Sequence, residues 1–234
     1  MNESSGPTVF GMFVKEPVAN RVKTRLAARL GEDGGQLAAN LYAAFQSDLV
    51  EKFGSHFDRR VMGFAPSSAI EFFTELSAGQ YQLWAQPELE LGQRMKSFFE
   101  MAFASGAGRV VLIGSDSPTL PVHVVERAFE SLLTNDLVLV PATDGGYVLI
   151  GQSGMTRDVF DGIEWSCPTV LADTVKIAQE KSMSVGVLDP WYDVDTVDGL
   201  RMLTGHIAAM DVGRTGQALI ATRAALDDLE LPAE

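Results

Sequence analysis

Five basic residues, Lys15, Arg21, Lys23, Arg25 and Arg29, fall within one short stretch whose single acid is Glu16. The chain as a whole carries 18 basic and 31 acidic residues, a formal net charge of −13. A cationic cluster set against that balance is suited to a small polyanion, and phosphate is the obvious one. Arginine offers a planar fork for bidentate phosphate binding, whereas lysine is a mobile point charge. An apolar run, Val9–Val14, leads into the cluster. Ligands of open α/β sheets sit at such strand ends, where a following helix adds N–H donors. Pro17 stiffens the loop, Asn20 tolerates the left-handed backbone of a sharp turn, and Lys23, Thr24 and Arg25 fall near the next helix start. The bland alternative is a solvated helix face.

Carboxylates recur at three further places. Val110–Ile113 is a buried-strand pattern that ends in Gly114-Ser115-Asp116-Ser117-Pro118. Mg²⁺ takes one or two carboxylates plus water and substrate phosphates, so Asp116 is a candidate metal ligand. Asp116 or Ser117 ahead of a proline-initiated helix reads equally well as an N-cap. Asp193 and Asp195, two apart in an extended segment, share a side and offer a second carboxylate. Asp195 or Thr196 can instead cap a helix starting near Val197. Asp144-Gly145-Gly146-Tyr147 combines close backbone approach with polar contacts, and is also a strong turn sequence. Arg94 can reach a pocket from a helix start. His56, His123 and His206 lack metal-ligand spacing, and Cys167 has no visible activating partner. No G-x-S-x-G, Walker A or G-x-G-x-x-G sequence occurs.

Strands are expected at 8–14, 60–64, 81–85, 110–113, 137–141, 147–151 and 184–188. Helical spacing covers 35–53, 92–104, 122–134 and 169–181. This alternation predicts an α/β fold, a mostly parallel sheet with helices on both faces. The glycine pair at 145–146 predicts a tight turn between neighbouring strands. No repeat or low-complexity linker divides the chain, so residues 1–234 read as one domain, with 205–234 as a C-terminal helical extension.

At 46% apolar and 21% charged residues, a chain of 234 residues can bury a sizeable core. Its acidity argues against an extended nucleic-acid face. One cysteine excludes an internal disulfide. Residues 1–8 lack a signal-peptide pattern, and no apolar run approaches the ~20 residues of a membrane span. A cytoplasmic protein is expected, without nucleic-acid or membrane partners.

Lys15-x-Pro17, Val22-Lys23-Thr24-Arg25-Leu26, Gly114-Ser115-Asp116-Ser117-Pro118, Asp144-Gly145-Gly146-Tyr147 and Asp193-x-Asp195-Thr196 occur in that order. Together, over about residues 9–203, they resemble the DUF2064 family of GT-A-like transferases, associated with radical-SAM and selenium-domain proteins. The pattern is also similar to 2-phospho-lactate guanylyltransferase and, more distantly, to molybdenum-cofactor nucleotidyltransferases. Asn20 stands where the family usually has glycine, and Cys167 where a small hydroxyl residue is more common.

The resemblance implies a Rossmann-like, nucleotide-diphospho-sugar transferase (GT-A) fold with a nucleotide and a divalent cation, Mg²⁺ or Mn²⁺, at the strand ends. Lys15, Lys23 and Arg25 would hold phosphates; Arg21, Thr24 and Arg94 are further phosphate candidates from their places in the sequence rather than from the resemblance. Asp116 and Asp195, with Asp193 beside them, would hold the metal, while Gly145, Gly146 and Tyr147 would face the sugar or acceptor. Asp116 and Asp144 would be the catalytic pair, Asp144 orienting or deprotonating an acceptor hydroxyl. The implied reaction is glycosyl transfer from a nucleotide-diphospho-sugar to a small acceptor. Nucleotidyl transfer from an NTP, releasing pyrophosphate, is the rival, because four cations suit a triphosphate. A non-catalytic nucleotide or sugar sensor is the third reading, disfavoured by the joint presence of Asp116, Asp144 and Asp195.

Overall fold

The computed structural model describes residues 6–214 and 218–229. Seven strands form one sheet: β1 (Thr8–Lys15), β2 (Arg59–Ala65), β3 (Gln82–Ala85), β4 (Arg109–Ile113), β5 (Leu137–Pro141), β6 (Tyr147–Ser153) and β7 (Val185–Val187). Their order is β3-β2-β1-β4-β6-β5-β7. Every pairing is parallel except those of β6, which runs antiparallel to both β4 and β5. All seven expected strands are present, with ends shifted by two residues at most.

Period-two patterning sorts the strand side chains between two faces. Phe10, Met12, Val14, Val111 and Ile113 face one side, where Leu49 and Phe53 of α2 (Gly34–Phe53), Phe73 of α3 (Ile70–Ser77) and Val125 and Phe129 of α5 (Val122–Ser131) cover them. Val9, Val110 and Leu112 face the other, under Met95, Phe98 and Phe99 of α4 (Leu91–Ala104) and Ala178 of α6 (Val170–Glu180). Gly11 lets α4 close on the sheet, because a β-carbon there would lie 2.2 Å from the Phe98 ring. A third layer forms where the outer side of α2 meets α1 (Thr24–Ala27), α7 (Val197–Gly213) and α8 (Ile220–Asp227), through Leu26, Leu41, Phe45, Leu200, Leu203 and Ile207.

The helix expected to start near Thr24 is the single turn α1, and the eight-residue α3 is a helix that the sequence pattern does not predict. The N-cap alternatives also resolve. Thr196 caps α7, its side-chain oxygen accepting from the Gly199 N–H. No helix starts at Asp116 or Ser117, since α5 begins only at Val122. Residues 145–146 do turn β5 into antiparallel β6, with Ala142 N–H bonded to Gly146 O. Of the expected extension 205–234, residues 215–217 and 230–234 lie outside the described residues. No helix among the described residues is long and apolar enough to cross a membrane.

The chain passes from β1 outward to β2 and β3, then returns to the other side of β1 as β4. Between β1 and β4 the strand order reverses. Ligand crevices form at the carboxyl ends of strands at such a switch point. Lys15 ends β1, and Gly114-Ser115-Asp116 follows the end of β4.

Candidate active site

A cavity of about 760 Å³ opens at that switch point. Lys15, Arg21, Lys23, Thr24, Arg25, Arg94, Asp116, Asp144, Gly146, Tyr147, Asp193 and Asp195 all line it. Of the site residues expected from the sequence, Gly145 alone does not. It stands at φ +94°, and a β-carbon there would lie 2.2 Å from the carbonyl oxygen of Pro168. Its task is to let the 145–146 turn pass under the 165–168 segment.

The basic loop divides into two kinds of cation. Lys15, Arg21 and Arg25 are exposed, and among the described residues none has a carboxylate within 4 Å. Lys23 is different. Its side chain is 2% exposed, and Nζ donates to Oδ1 of Asp116 and, at 2.7 Å, to Oδ1 of Asp195. Burial alone would lower its pKa, but the two carboxylates override that and hold it above the ordinary lysine value. The rings of Tyr42 and Phe45 lie 5.4 and 5.7 Å from the ammonium. Two left-handed residues, Asn20 (φ 62°) and Lys23 (φ 48°), fold the loop back over the strand end. Asn20 fulfils its expected backbone role.

The carboxylates are held by main chain. Val194 N–H donates to Asp116 O at 2.9 Å, which fastens the 193–195 segment to the end of β4. Below them, the Tyr42 hydroxyl lies 2.7 Å from Ser115 Oγ and accepts from the Lys15 N–H. Lys52 Nζ donates to Pro118 O at 2.5 Å and Leu120 O at 3.2 Å, clamping the loop that follows Asp116. Trp191, Thr119, Tyr192 and His206 continue the support as one hydrogen-bonded chain.

Asp193 lines the cavity without pairing to Lys23. Burial first, then the charges of Asp195, Asp144 and Asp116, push its carboxyl up to about 6. Asp144 accepts the Gly146 N–H on Oδ1, completing the turn. Burial raises the Tyr147 phenol, and its hydroxyl is buried without a hydrogen-bond partner among the described residues. Its contribution to the cavity is therefore the ring.

Gln86, at the end of β3, was not singled out in the sequence. It is buried, donating to Gly63 O at 2.6 Å and Val14 O at 3.3 Å, and its Oε1 accepts from Arg94 at 3.1 Å. Burial lowers the Arg94 pKa and Glu90 opposes the change; among the described residues no carboxylate lies within 4 Å of this guanidinium. Trp165, Cys167 and Pro168 also line the cavity unforeseen. Cys167 Sγ bonds to Glu164 O and Thr169 Oγ1, a structural placement.

The donor set fits a divalent cation of the Mg²⁺ type. Two half-exposed carboxylates, 44% and 40%, converge on one point, held here by the Lys23 ammonium. Among the described residues no cluster of three His, Cys, Asp or Glu ligands exists. Water and phosphate oxygens would therefore complete the shell, the arrangement Mg²⁺ favours.

This architecture is the nucleotide-diphospho-sugar transferase-like α/β fold. The sequence matches the family described as uncharacterised proteins conserved in bacteria, DUF2064, over residues 49–167, and the chain belongs to it. Among solved structures, one described as a "putative nucleotide-diphospho-sugar transferase" from Desulfovibrio desulfuricans G20 is 33% identical, with TM-score 0.84. The match covers 97% of this chain and 95% of that one. A nucleotidyl transferase from Methanothermobacter thermautotroptrophicus is 10% identical, with TM-score 0.59, over 86% of this chain and 97% of that one. A cytidylyltransferase from Leptospira borgpetersenii is 9% identical, with TM-score 0.58, over 95% and 93%. These two share the fold. No curated protein matches the sequence.

Proposed function

We propose that the protein is a metal-assisted transferase that moves a glycosyl group from a nucleotide-diphospho-sugar to a small acceptor. One observation carries this reading: four cations with no carboxylate within 4 Å among the described residues, Lys15, Arg21, Arg25 and Arg94, share a cavity with the converging carboxylates Asp116 and Asp195. In a protein of net charge −13, unpaired cations around one cavity suit a ligand that brings its own negative charge.

Lys15, Arg21 and Arg25 bind the diphosphate from the exposed loop, and Thr24 adds a hydroxyl donor at the start of α1. Asp116 and Asp195 would hold the divalent cation, which supplies Lewis-acid neutralisation of the departing diphosphate. The basic loop assists by fixed electrostatics, without a covalent step. Gly146 and the Tyr147 ring line the sugar and acceptor side. With Oδ1 of Asp144 engaged by Gly146 N–H, Oδ2 is the atom available to take the acceptor's hydroxyl proton. Arg94, braced by Gln86, binds a further anionic or polar group of the substrate pair.

Nucleotidyl transfer is the second reading, favoured by the number of unpaired cations, which also suits a triphosphate. Product identity separates the two. Phosphorus NMR of the protein with Mg²⁺ and a panel of NDP-sugars and NTPs, water standing in for the acceptor, is expected to show slow release of free NDP. Release of pyrophosphate from an NTP would transfer the assignment to nucleotidyl transfer, and release of neither would count against catalysis.

A further inference from the structure

The point where the two site carboxylates meet already holds a positive charge. Lys23 Nζ bonds both Asp116 and Asp195, across separations of 93 and 172 residues. Its side chain is 2% exposed, and the rings of Tyr42 and Phe45 flank the ammonium, a setting that favours a cation. Lys23 reaches this place from a left-handed backbone, φ 48° and ψ 38°, an uncommon conformation for a residue with a β-carbon. The other cations of the loop, Lys15, Arg21 and Arg25, are exposed and have no ion-pair partner among the described residues.

We propose that the Lys23 ammonium is the resident counter-ion of Asp116 and Asp195, and that a divalent cation must displace it to engage both carboxylates. The proposal rests on the reading of this cavity as a metal and phosphate site. Two oxygens that converge on one ammonium cannot also share a dication at that point, because the two like charges would repel across a partly desolvated gap. The displaced ammonium cannot stay buried without a counter-charge. The partner within the same cavity is the phosphate drawn by Lys15, Arg21 and Arg25. Metal alone therefore binds weakly, and metal and phosphate strengthen each other's binding by the same factor. Lys23 thereby delays metal loading until a phosphate-bearing ligand is present.

Binding of Mn²⁺ to the full chain, without any nucleotide, tests this by electron paramagnetic resonance. The variants Lys23→Met and Lys23→Gln are expected to bind Mn²⁺ about tenfold more tightly than wild type, within the usual range of coupling between sites. Equal or weaker binding by folded variants would overturn the proposal. The wild-type protein gives a second test that needs no variant. Its buried lysine ammonium should give a protected proton–nitrogen NMR resonance, which should disappear as Mg²⁺ is raised to excess in the presence of inorganic pyrophosphate. Persistence of that resonance would also overturn the proposal. Tighter Mn²⁺ binding by the variants, with no response to any nucleotide, would retain this inference and remove the transferase reading. A nucleotide response with unchanged metal affinity would do the reverse.

Discussion

The N–H of Val194 donates to the main-chain carbonyl of Asp116 at 2.9 Å, so two segments 78 positions apart present their carboxylates as one unit. Side chains at 116 and 195 can thus be altered without cutting this bond. Asp116→Asn and Asp195→Asn are expected to fold with a lowered thermal midpoint, because the buried Lys23 ammonium keeps only one of its two carboxylates. Both should lose the metal-dependent part of nucleotide binding. Removal of metal with EDTA should make wild type behave like the variants, as calorimetric titration of an NDP-sugar would show.

Tyr42 supports the same unit from below. Tyr42→Phe removes the hydroxyl that bonds Ser115 Oγ and accepts from the Lys15 N–H. Leaving buried polar groups unpaired costs about 1–3 kcal/mol. Urea denaturation is expected to show a loss in that range with an unchanged m-value.

Gly145 makes the turn possible. At φ +94°, with Pro168 O only 2.2 Å from where a β-carbon would stand, Gly145→Ala combines backbone strain with a collision. The left-handed backbone alone costs a non-glycine residue about 1–2 kcal/mol. The variant should melt earlier than wild type, and a midpoint equal to wild type would show that the 165–168 segment yields freely.

Lys52 sets a pH dependence. Burial lowers its pKa to about 7, and the charge of Asp48 opposes the change. Between about pH 7 and the ordinary lysine range, the unfolded chain binds a proton that the folded chain does not. Stability relative to Lys52→Met should therefore rise with pH across that window, and stay flat below pH 7. Paired denaturation curves at pH 6, 8 and 9.5 check the sign. A difference that falls with rising pH would contradict it.

Much of this fold was legible because buried strands write themselves as short apolar runs. Val110–Ile113 and Leu137–Pro141 needed no long-range information. The helix α3 is not legible because eight residues give barely two turns of periodicity. Clustering of charge located the cavity, and Thr196 showed its capping role through its position before Val197. Sequence could not separate Lys23 from its basic neighbours. Its partners lie 93 and 172 residues away, and only the sheet order brings them together. Gln86 was similarly hidden: its one sequence cue is a polar residue directly after an apolar strand and before Pro87.

The exposed arginines offer a contrast to these buried groups. The side chains of Arg21 and Arg25 have no ion-pair partner among the described residues, so replacing them leaves no buried charge unpaired. Arg21→Gln and Arg25→Gln should stay within about 0.5 kcal/mol of wild-type stability. Both should weaken pyrophosphate binding, with a shallower dependence on salt, as titration at two ionic strengths would show.

The most direct test of the central claim is a thermal-shift panel of NDP-sugars and NTPs with Mg²⁺ or Mn²⁺, on wild type and Asp116→Asn. A ligand at ~100 times its dissociation constant stabilises the fold by about 2.7 kcal/mol, which is readily seen. The predicted result is metal-dependent stabilisation by an NDP-sugar that is reduced in Asp116→Asn. No stabilisation by any nucleotide, with or without metal, would contradict the account of this cavity.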